Sequence, residues 1–486
     1  MRLERSCRSI LRRCFSPNDN NNLVLLLCFI LLVKECQSLS STQLPADSRK
    51  FLILGGTGRI GTAVASHLLH KCPQSSVILA GRNALKGRNA LAEVLEEHPS
   101  LHSCERVTFE CLDWRDDESL KRLAQKVDCI IHTAGPFLSE KPSPLSAAIQ
   151  SSCCKAYIDV ADPLDFLDES LSLNDAAVAT GTTALLAAGA FPGMSNVLAV
   201  EAAAHLFREQ NQKVQDVRFN YFTAGLGGSG DVNLYITNLG FGEPMAQYEQ
   251  GKLRMFKALS GLTLGEISFF LENDPDNKLS FGNQAAKERI GKQTVFSWPF
   301  PEAATVAREL NATGDSSAAM GTAPHAWNVM LGILVSLIPR AWWRSERFSK
   351  FLADFSEPLV KATDQYLKII SPDKVGETHA MRVDITGEGG SSVSVVQAHE
   401  SFRRCVAQSC AEFALDLLDN PSPGVRMPEQ RYRSDKDRER IIKHLTSTPG
   451  TMAYTGPVVV TDAPPPSKMN EALDQANRAE NSVLLQ

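Results

Sequence analysis

The sequence predicts an α/β fold whose N-terminal part is a doubly wound parallel sheet and whose later part is an α+β domain. Three observations carry this. From Lys50 onward, short apolar runs alternate with helix-like segments of about 10–15 residues, the pattern of βαβ units. The first apolar run ends in a cluster of glycines ahead of a helix. After about residue 213 the apolar residues fall at every second position, which marks a sheet with one solvated face.

Taken in order, Phe51–Leu54 reads as the first strand and the segment from Val64 to Leu69 as a helix. Val77–Ala80 is a second strand, Ala84 to Glu97 a helix, Val107–Leu112 a third strand, Glu118 to Lys126 a helix and Val127–Ile131 a fourth strand. Tyr157–Val160 and Thr183–Leu186 continue the series. Such short, wholly apolar strands suit a sheet covered on both faces. Beyond them, Val214–Phe222, Ile267–Phe270, Thr294–Trp298, His379–Ile385 and Ser392–Val396 are strand candidates of the second domain. Glu400 to Asp419 reads as one helix, with Phe402, Cys405, Val406, Phe413 and Leu417 on one face. It stops at Asn420-Pro-Ser-Pro-Gly424 and is expected to return to the first domain. Residues 431–486 read as a charged tail, partly disordered, with Ala463-Pro-Pro-Pro466 inside it.

The chain has 486 residues, enough for two or three domains, and carries a formal charge of −5. No basic stripe suggests nucleic acid. Residues 1–38 hold a net charge of +3, leaving −8 for the rest. Arginines 2, 5, 8, 12 and 13 precede the apolar run Leu23–Val33, which is too short for a membrane span of about 20 residues. The pattern fits a secretory signal cleaved after Ser38, followed by a linker or short transit stretch at 39–49. Plastid delivery, as into complex plastids, or an endomembrane lumen is the expected destination. The eight cysteines beyond the leader include no C-x-x-C pair and read as buried free thiols. His67 and His70 lack a third partner at metal-ligand spacing, so no metal is expected.

The glycine cluster reads G-x-G-x-x-G over Gly56, Thr57, Gly58, Arg59, Ile60 and Gly61. Its strand–loop–helix setting is what a dinucleotide pyrophosphate requires: a tight turn, close backbone approach and a helix N-terminus. An NAD site places an acid at the end of the second strand, to hold the ribose hydroxyls. Here that strand ends in Arg82 and Asn83, with no acid. Arg82 can pair with a 2′-phosphate, and Arg59 can add a second charge, so NADP(H) is the expected cofactor. Asp113 ends the third strand and is placed beside the adenine. Ala134, Gly135, Pro136 and Phe137 follow the fourth and leave room for the nicotinamide half.

Ala134-Gly135-Pro136-Phe137, Tyr157-Ile158-Asp159, Phe191-Pro192-Gly193-Met194-Ser195-Asn196 and Pro423–Glu429 together resemble the saccharopine dehydrogenase NADP-binding family over about residues 50–430. The likeness is greater to its plastid-type and uncharacterised members. The resemblance implies a Rossmann domain at 50–200, an inserted α+β substrate and dimerisation domain at 201–398, and C-terminal elements at 399–430 that rejoin the first domain. It also implies a homodimer, and hydride transfer to or from an imine or secondary amine bearing carboxylates, or a related small molecule. It does not supply the substrate.

On the substrate side, Tyr157, Asp159 and His132 are candidate proton donors because they end strands, although such groups are often structural. Ser195 and Asn196, and Gly228 and Ser229 in a glycine-rich loop, are candidate substrate contacts through helix N-termini. The apolar stretch from Ala326 to Trp343, with Trp and Arg at its end, points to a packed helix or to contact with a membrane surface. A non-catalytic NADPH-binding or membrane-surface protein that retains the fold is therefore the alternative to an enzyme.

Overall fold

Strand β1 (Lys50–Leu54) is apolar at four successive positions because both of its faces are covered. Phe51 and Ile53 enter one core and Leu52 and Leu54 the other. The computed structural model describes residues 48–99, 106–224, 238–242, 244–256, 263–270, 283–323, 325–370 and 377–460. The expected signal, the stretch at 39–47, the glycine-rich loop with Gly228 and Ser229, and the tail beyond Val460 lie outside the described residues.

The first half of the chain runs β1, α1 (Arg59–Lys71), β2 (Ser76–Gly81), α2 (Ala84–Glu97), β3 (Val107–Cys111), α3 (Asp117–Ala124), β4 (Cys129–His132), α4 (Ser143–Gln150), β5 (Ala156–Asp159), α5 (Leu164–Leu171), α6 (Asn174–Thr180), β6 (Thr183–Leu185) and α7 (Met194–Gln210). The second half runs β7 (Val214–Ala224), β8 (Met245–Glu249), β9 (Lys252–Phe256), β10 (Thr263–Ser268), α8 (Asn283–Ile290), β11 (Lys292–Ser297), α9 (Glu302–Leu310), β12 (Ser316–Ala323), α10 (His325–Leu337), α11 (Arg340–Trp343), α12 (Glu346–Ile370), β13 (His379–Gly387), β14 (Ser392–His399), α13 (Phe402–Asp419), β15 (Gly424–Arg426), α14 (Pro428–Arg431), α15 (Asp435–Thr446) and β16 (Thr451–Val460).

Seven parallel strands form the first sheet in the order β15-β6-β5-β4-β1-β2-β3. The order reverses between β1 and β4, the switch point where open α/β sheets bind ligands. The second sheet has the order β10-β11-β12-β7-β13-β14-β16, antiparallel except for the β12–β7 pair. The doubly wound sheet and the α+β second domain are thus both present.

The chain returns to the first sheet through α13 and then β15, which pairs with β6. Helix α13 is apolar on more than one face because it lies against α1, β5 and α15 together. Its two buried carboxylates are answered from the elements around it. Glu412 takes His67 at 2.8 Å and Lys71 at 2.9 Å, and Asp416 takes Arg440 at 2.7 Å and the Tyr432 hydroxyl at 3.0 Å. Residues 431–460 depart from the expected tail: they form α15 and then β16, the edge strand beside β14. The charges of α15 pair with its neighbours; Arg438, 1% exposed, binds Glu201 of α7 at 2.6 Å. Gly456 and Pro457 hid β16 in the sequence, since neither favours a strand interior, but an edge position tolerates them. Strand β12 was missed because its run of Ser, Ala and Gly lacks the branched residues that usually mark strands.

One apolar core runs from β1 and β2 through α7 and α13 to β7, β13 and β14. Where α7 meets the second sheet, the core contains polar groups. The Tyr221 hydroxyl donates to Glu302, and Asn196 Nδ2 donates to Glu429 Oε2 at 2.8 Å. Burial pushes the Glu302 carboxyl up to about 8 and raises Glu429 as well. Between the ordinary carboxyl range and pH 8, folded Glu302 holds a proton that the unfolded chain releases, so its contribution to stability is lost as pH rises through that window. The melting temperature of a Glu302→Gln variant should therefore gain on that of the parent as pH rises from about 5 to about 8; a difference constant over that range would refute a protonated Glu302.

Candidate functional site

The site begins where β1 turns into α1. Gly55 has φ of +78°, and a Cβ on Gly61 would fall 2.4 Å from the Gly55 carbonyl oxygen, so strand and helix pack closer than any side chain allows. A Cβ on Gly58 would meet only the Gly55 oxygen, at 3.2 Å, and its other surroundings are open. The first intrahelical bond runs from Thr62 N–H to the Gly58 carbonyl. The N–H groups of Arg59, Ile60 and Gly61 precede it, no side chain caps them, and the first turn carries no acid. This cradle fits a pyrophosphate.

A cleft of about 990 Å³ starts at this loop, near the upper end of the range of roughly 300–1,000 Å³ for small-molecule sites. It runs across the strand ends of the first sheet to a wall built by the second. Of the residues expected to bind a dinucleotide, Thr57, Gly58, Arg59, Ile60, Gly61, Arg82, Ala134, Gly135, Pro136 and Phe137 line it. Gly56 lies beneath the turn, where a Cβ would come 2.8 Å from Leu79 Cα.

Two expected contacts are engaged elsewhere. The Asn83 side chain caps α2, its Oδ1 accepting from Leu85 N and Lys86 N at 3.0 Å each. Asp113 pairs with Arg115 at 3.4 Å, and the cleft is lined instead by its neighbours Leu112, Trp114 and Arg115. The Arg115 guanidinium lies 4.3 Å from the Trp114 ring centre. Arg59 is also partly committed, through a 3.1 Å ion pair with Glu377. Arg82 keeps its charge for the cleft, and Lys86, one turn into α2, adds a cation the sequence reading missed. Among the described residues no carboxylate pairs with either.

The strand-end candidates do not reach the cleft. His132, Tyr157 and Asp159 are fully buried beneath it. His132 Nδ1 lies 3.3 Å from the Tyr157 hydroxyl, its ring packs edge-on to Trp114 and Phe137, and burial drives its pKa down to about 3. Asp159 Oδ1 accepts from Ala187 N at 2.8 Å and Ala161 N at 3.1 Å, which ties the exits of β5 and β6 together. They are buried because strands covered on both faces point their side chains into packed cores. Ser195 and Asn196 are likewise buried in the seam. Asn196 Oδ1 accepts from Gly193 N at 2.9 Å, while the preceding residues Gly189–Pro192 line the cleft.

The acid that does face the cleft is Asp162, with Asp165 nearby. Asp162 is exposed into the cleft it lines, yet the surrounding protein pushes its carboxyl up to about 6. It sits three residues past the end of β5, where the chain leaves the sheet, and that position was the available signal: an acid just beyond a strand's carboxyl end rather than within it.

Residues 51–185 match the family model described as the saccharopine dehydrogenase NADP binding domain. A probable mitochondrial saccharopine dehydrogenase-like oxidoreductase of Arabidopsis thaliana is 28% identical over 158 residues, covering 31% of this chain and 34% of that protein. The chain thus spans about a third of the length of this curated relative. The apo structure of saccharopine dehydrogenase (L-Glu forming) from Saccharomyces cerevisiae superposes with a TM-score of 0.53 at 13% identity, covering 85% of this chain and all of that one. At that identity the match shows a shared fold.

Replacing Arg82 with Ala should weaken NADPH binding about 10- to 100-fold, the worth of a charge-assisted bond of about 1.5–3 kcal/mol, and leave NADH binding unchanged. Fluorescence titration of both nucleotides checks this; an equal loss for both would remove Arg82 from the 2′-phosphate.

Proposed function

We propose, from the premise that residues 51–185 form an NADP-binding domain of the saccharopine dehydrogenase type, that this protein is an NADP(H)-dependent oxidoreductase acting on a small molecule. The reaction moves a hydride to or from a carbon bonded to nitrogen or oxygen. The observation that carries the reading is a single cleft joining the phosphate cradle to the wall of the second sheet. When bound, the dinucleotide supplies or accepts the hydride, and the protein supplies placement and the proton.

The N-terminus of α1 holds the pyrophosphate, and Arg82 and Lys86 hold the 2′-phosphate. Ala134 and Gly135, at the tip of β4, leave room for the nicotinamide half. Asp162 handles the proton: in the reducing direction its carboxyl donates to the substrate nitrogen or oxygen as the new C–H bond forms, and in the oxidising direction its carboxylate takes that proton back. A group titrating near 6 is suited to both.

NADPH oxidation should be seen with some members of a panel of aldehydes, ketones and amine–carbonyl pairs. Its kcat should fall as pH rises through about 6, because the donor must be protonated. Asp162→Asn should lower kcat by about 10²–10⁴-fold and abolish that pH dependence, with NADPH affinity unchanged. No turnover across the panel, with NADPH still bound, would favour the non-catalytic alternative.

A second reading is supported by the outer face of α10 and by α12. Val329, Ile333 and Leu337 are exposed at four-residue intervals on α10, as are Phe351, Phe355 and Leu359 on α12, with Trp342 exposed between the helices. No helix among the described residues is long and apolar enough to cross a membrane. An apolar row with aromatic rings beside it suits lying on a bilayer surface. The full chain should float with liposomes, and Ile333→Glu with Phe355→Glu should abolish flotation. A chain that stays in the soluble fraction and doubles its mass with concentration would assign the face to a second copy instead.

A further inference from the structure

The wall that the second sheet adds to the cleft is almost free of charge. Its lining extends from Thr223 to Val335 and includes Leu239, Phe296, Trp298, Phe300 and Leu331; among the described residues of that stretch, none that lines the cleft is ionisable. The Trp298 and Phe300 rings stack with centres 6.1 Å apart, and Phe300 meets Phe191 edge-on at 5.2 Å, so aromatic surface continues to the carboxyl ends of the first sheet. The wall's polar groups are largely spent on one another. Asn328 Nδ2 donates to the Thr322 carbonyl at 2.8 Å, and Thr322 N donates back to Asn328 Oδ1 at 3.1 Å. Thr223 Oγ1 is buried and has no hydrogen-bond partner, and the other hydroxyl residues of the wall, Ser297 and Thr322, are neutral as well.

The cations of the cleft belong to its dinucleotide end. Arg82 and Lys86 stand at the end of β2 and the start of α2, and Arg115 is bonded to Glu140. Arg59 and Arg403 share Glu377, at 3.1 Å and 3.6 Å. The acids that line the cleft are Asp162 and Asp165, in the loop after β5. A substrate carboxylate placed against the wall would lose water and, among the described residues that line it from Thr223 to Val335, find no cation. An apolar body would gain from leaving water and from the aromatic faces.

From this we infer that the substrate is a bulky, uncharged, largely apolar or aromatic carbonyl or imine compound, whose reducible group is its main polar feature, and not an amino or keto acid. This rests on the oxidoreductase reading above and names its substrate class.

The test uses the full chain saturated with NADPH and compares two probes of similar size, trans-cinnamaldehyde and 2-oxoglutarate. Trp298 fluorescence quenching reads binding, with Trp298→Phe as the control, and NADPH oxidation is followed in parallel. Cinnamaldehyde should saturate at a concentration at least tenfold lower than 2-oxoglutarate. Leu331→Arg should narrow or reverse that ratio by placing a cation in the wall; if this variant does not fold, Val335→Arg serves the same purpose. A carboxylate probe that binds the parent as tightly as the aldehyde would overturn the inference. Preferential quenching by cinnamaldehyde, with no NADPH oxidation by it or by any member of the panel above, would leave the apolar site standing and sink the enzymatic reading, so the two failures are distinguishable.

Discussion

Phe191 stacks on Tyr221 with ring centres 4.1 Å apart, and the cleft depends on that contact. Phe191 comes from the turn after β6, at the carboxyl edge of the first sheet, and Tyr221 from the middle of β7 in the second. Phe402 at the start of α13 stacks on the other side of Phe191 at 4.8 Å, and His379 of β13 packs at 5.1 Å. Four segments distant in sequence thus meet at one ring. Because Phe191, Phe300 and Phe402 also line the cleft, the cluster that fixes the two sheets also forms part of the cavity surface between them. A core packed to the density of a crystal transmits displacement, so this packing ties the strand tips to the wall.

The polar groups behind that cluster follow from the same geometry. Tyr221 has its ring in the stack, and its hydroxyl must be satisfied in the interior, where Glu302 accepts it. A charged Glu302 close to buried Glu429 would be costly, and a shared environment of two carboxyls is eased when one keeps its proton.

What the sequence made legible was local. The phosphate loop occupies six adjacent residues between a strand and a helix, and each glycine has a stereochemical reason visible in the pattern alone. Arg82 was legible by the same logic, as the residue at a fixed place after strand two. The helix at 402–419 was found by its apolar face, although burial on its other sides, and the ion pairs that permit Glu412 and Asp416 there, come from partners far along the chain. An Asn at a strand end and an Asn at a helix start look alike in sequence; here the Asn83 Oδ1 caps the helix. A polar residue in a strand suggests a site, but in this doubly covered sheet the side chains of His132, Tyr157 and Asp159 are buried and the cleft opens one step beyond the strand. Asp162 occupies that step.

The other half of the cleft had no local signature to find. Its surface comes from the loop after β5, the turn after β6, strands β7, β11 and β12, helix α10 and the start of α13, and apart from β12 and α10 these are separated along the chain. Most contribute an apolar residue that would read as ordinary core. Only the assembled wall shows that they enclose a cavity, and only its charge pattern, with cations at the dinucleotide end and acids or neutral groups beyond, gives that cavity a chemical preference. The fold shared with saccharopine dehydrogenase places the strand ends and the phosphate cradle on one side of the cleft. The other side is built from side chains that a fold leaves free to vary, and among the described residues those lining it from Thr223 to Val335 are uncharged.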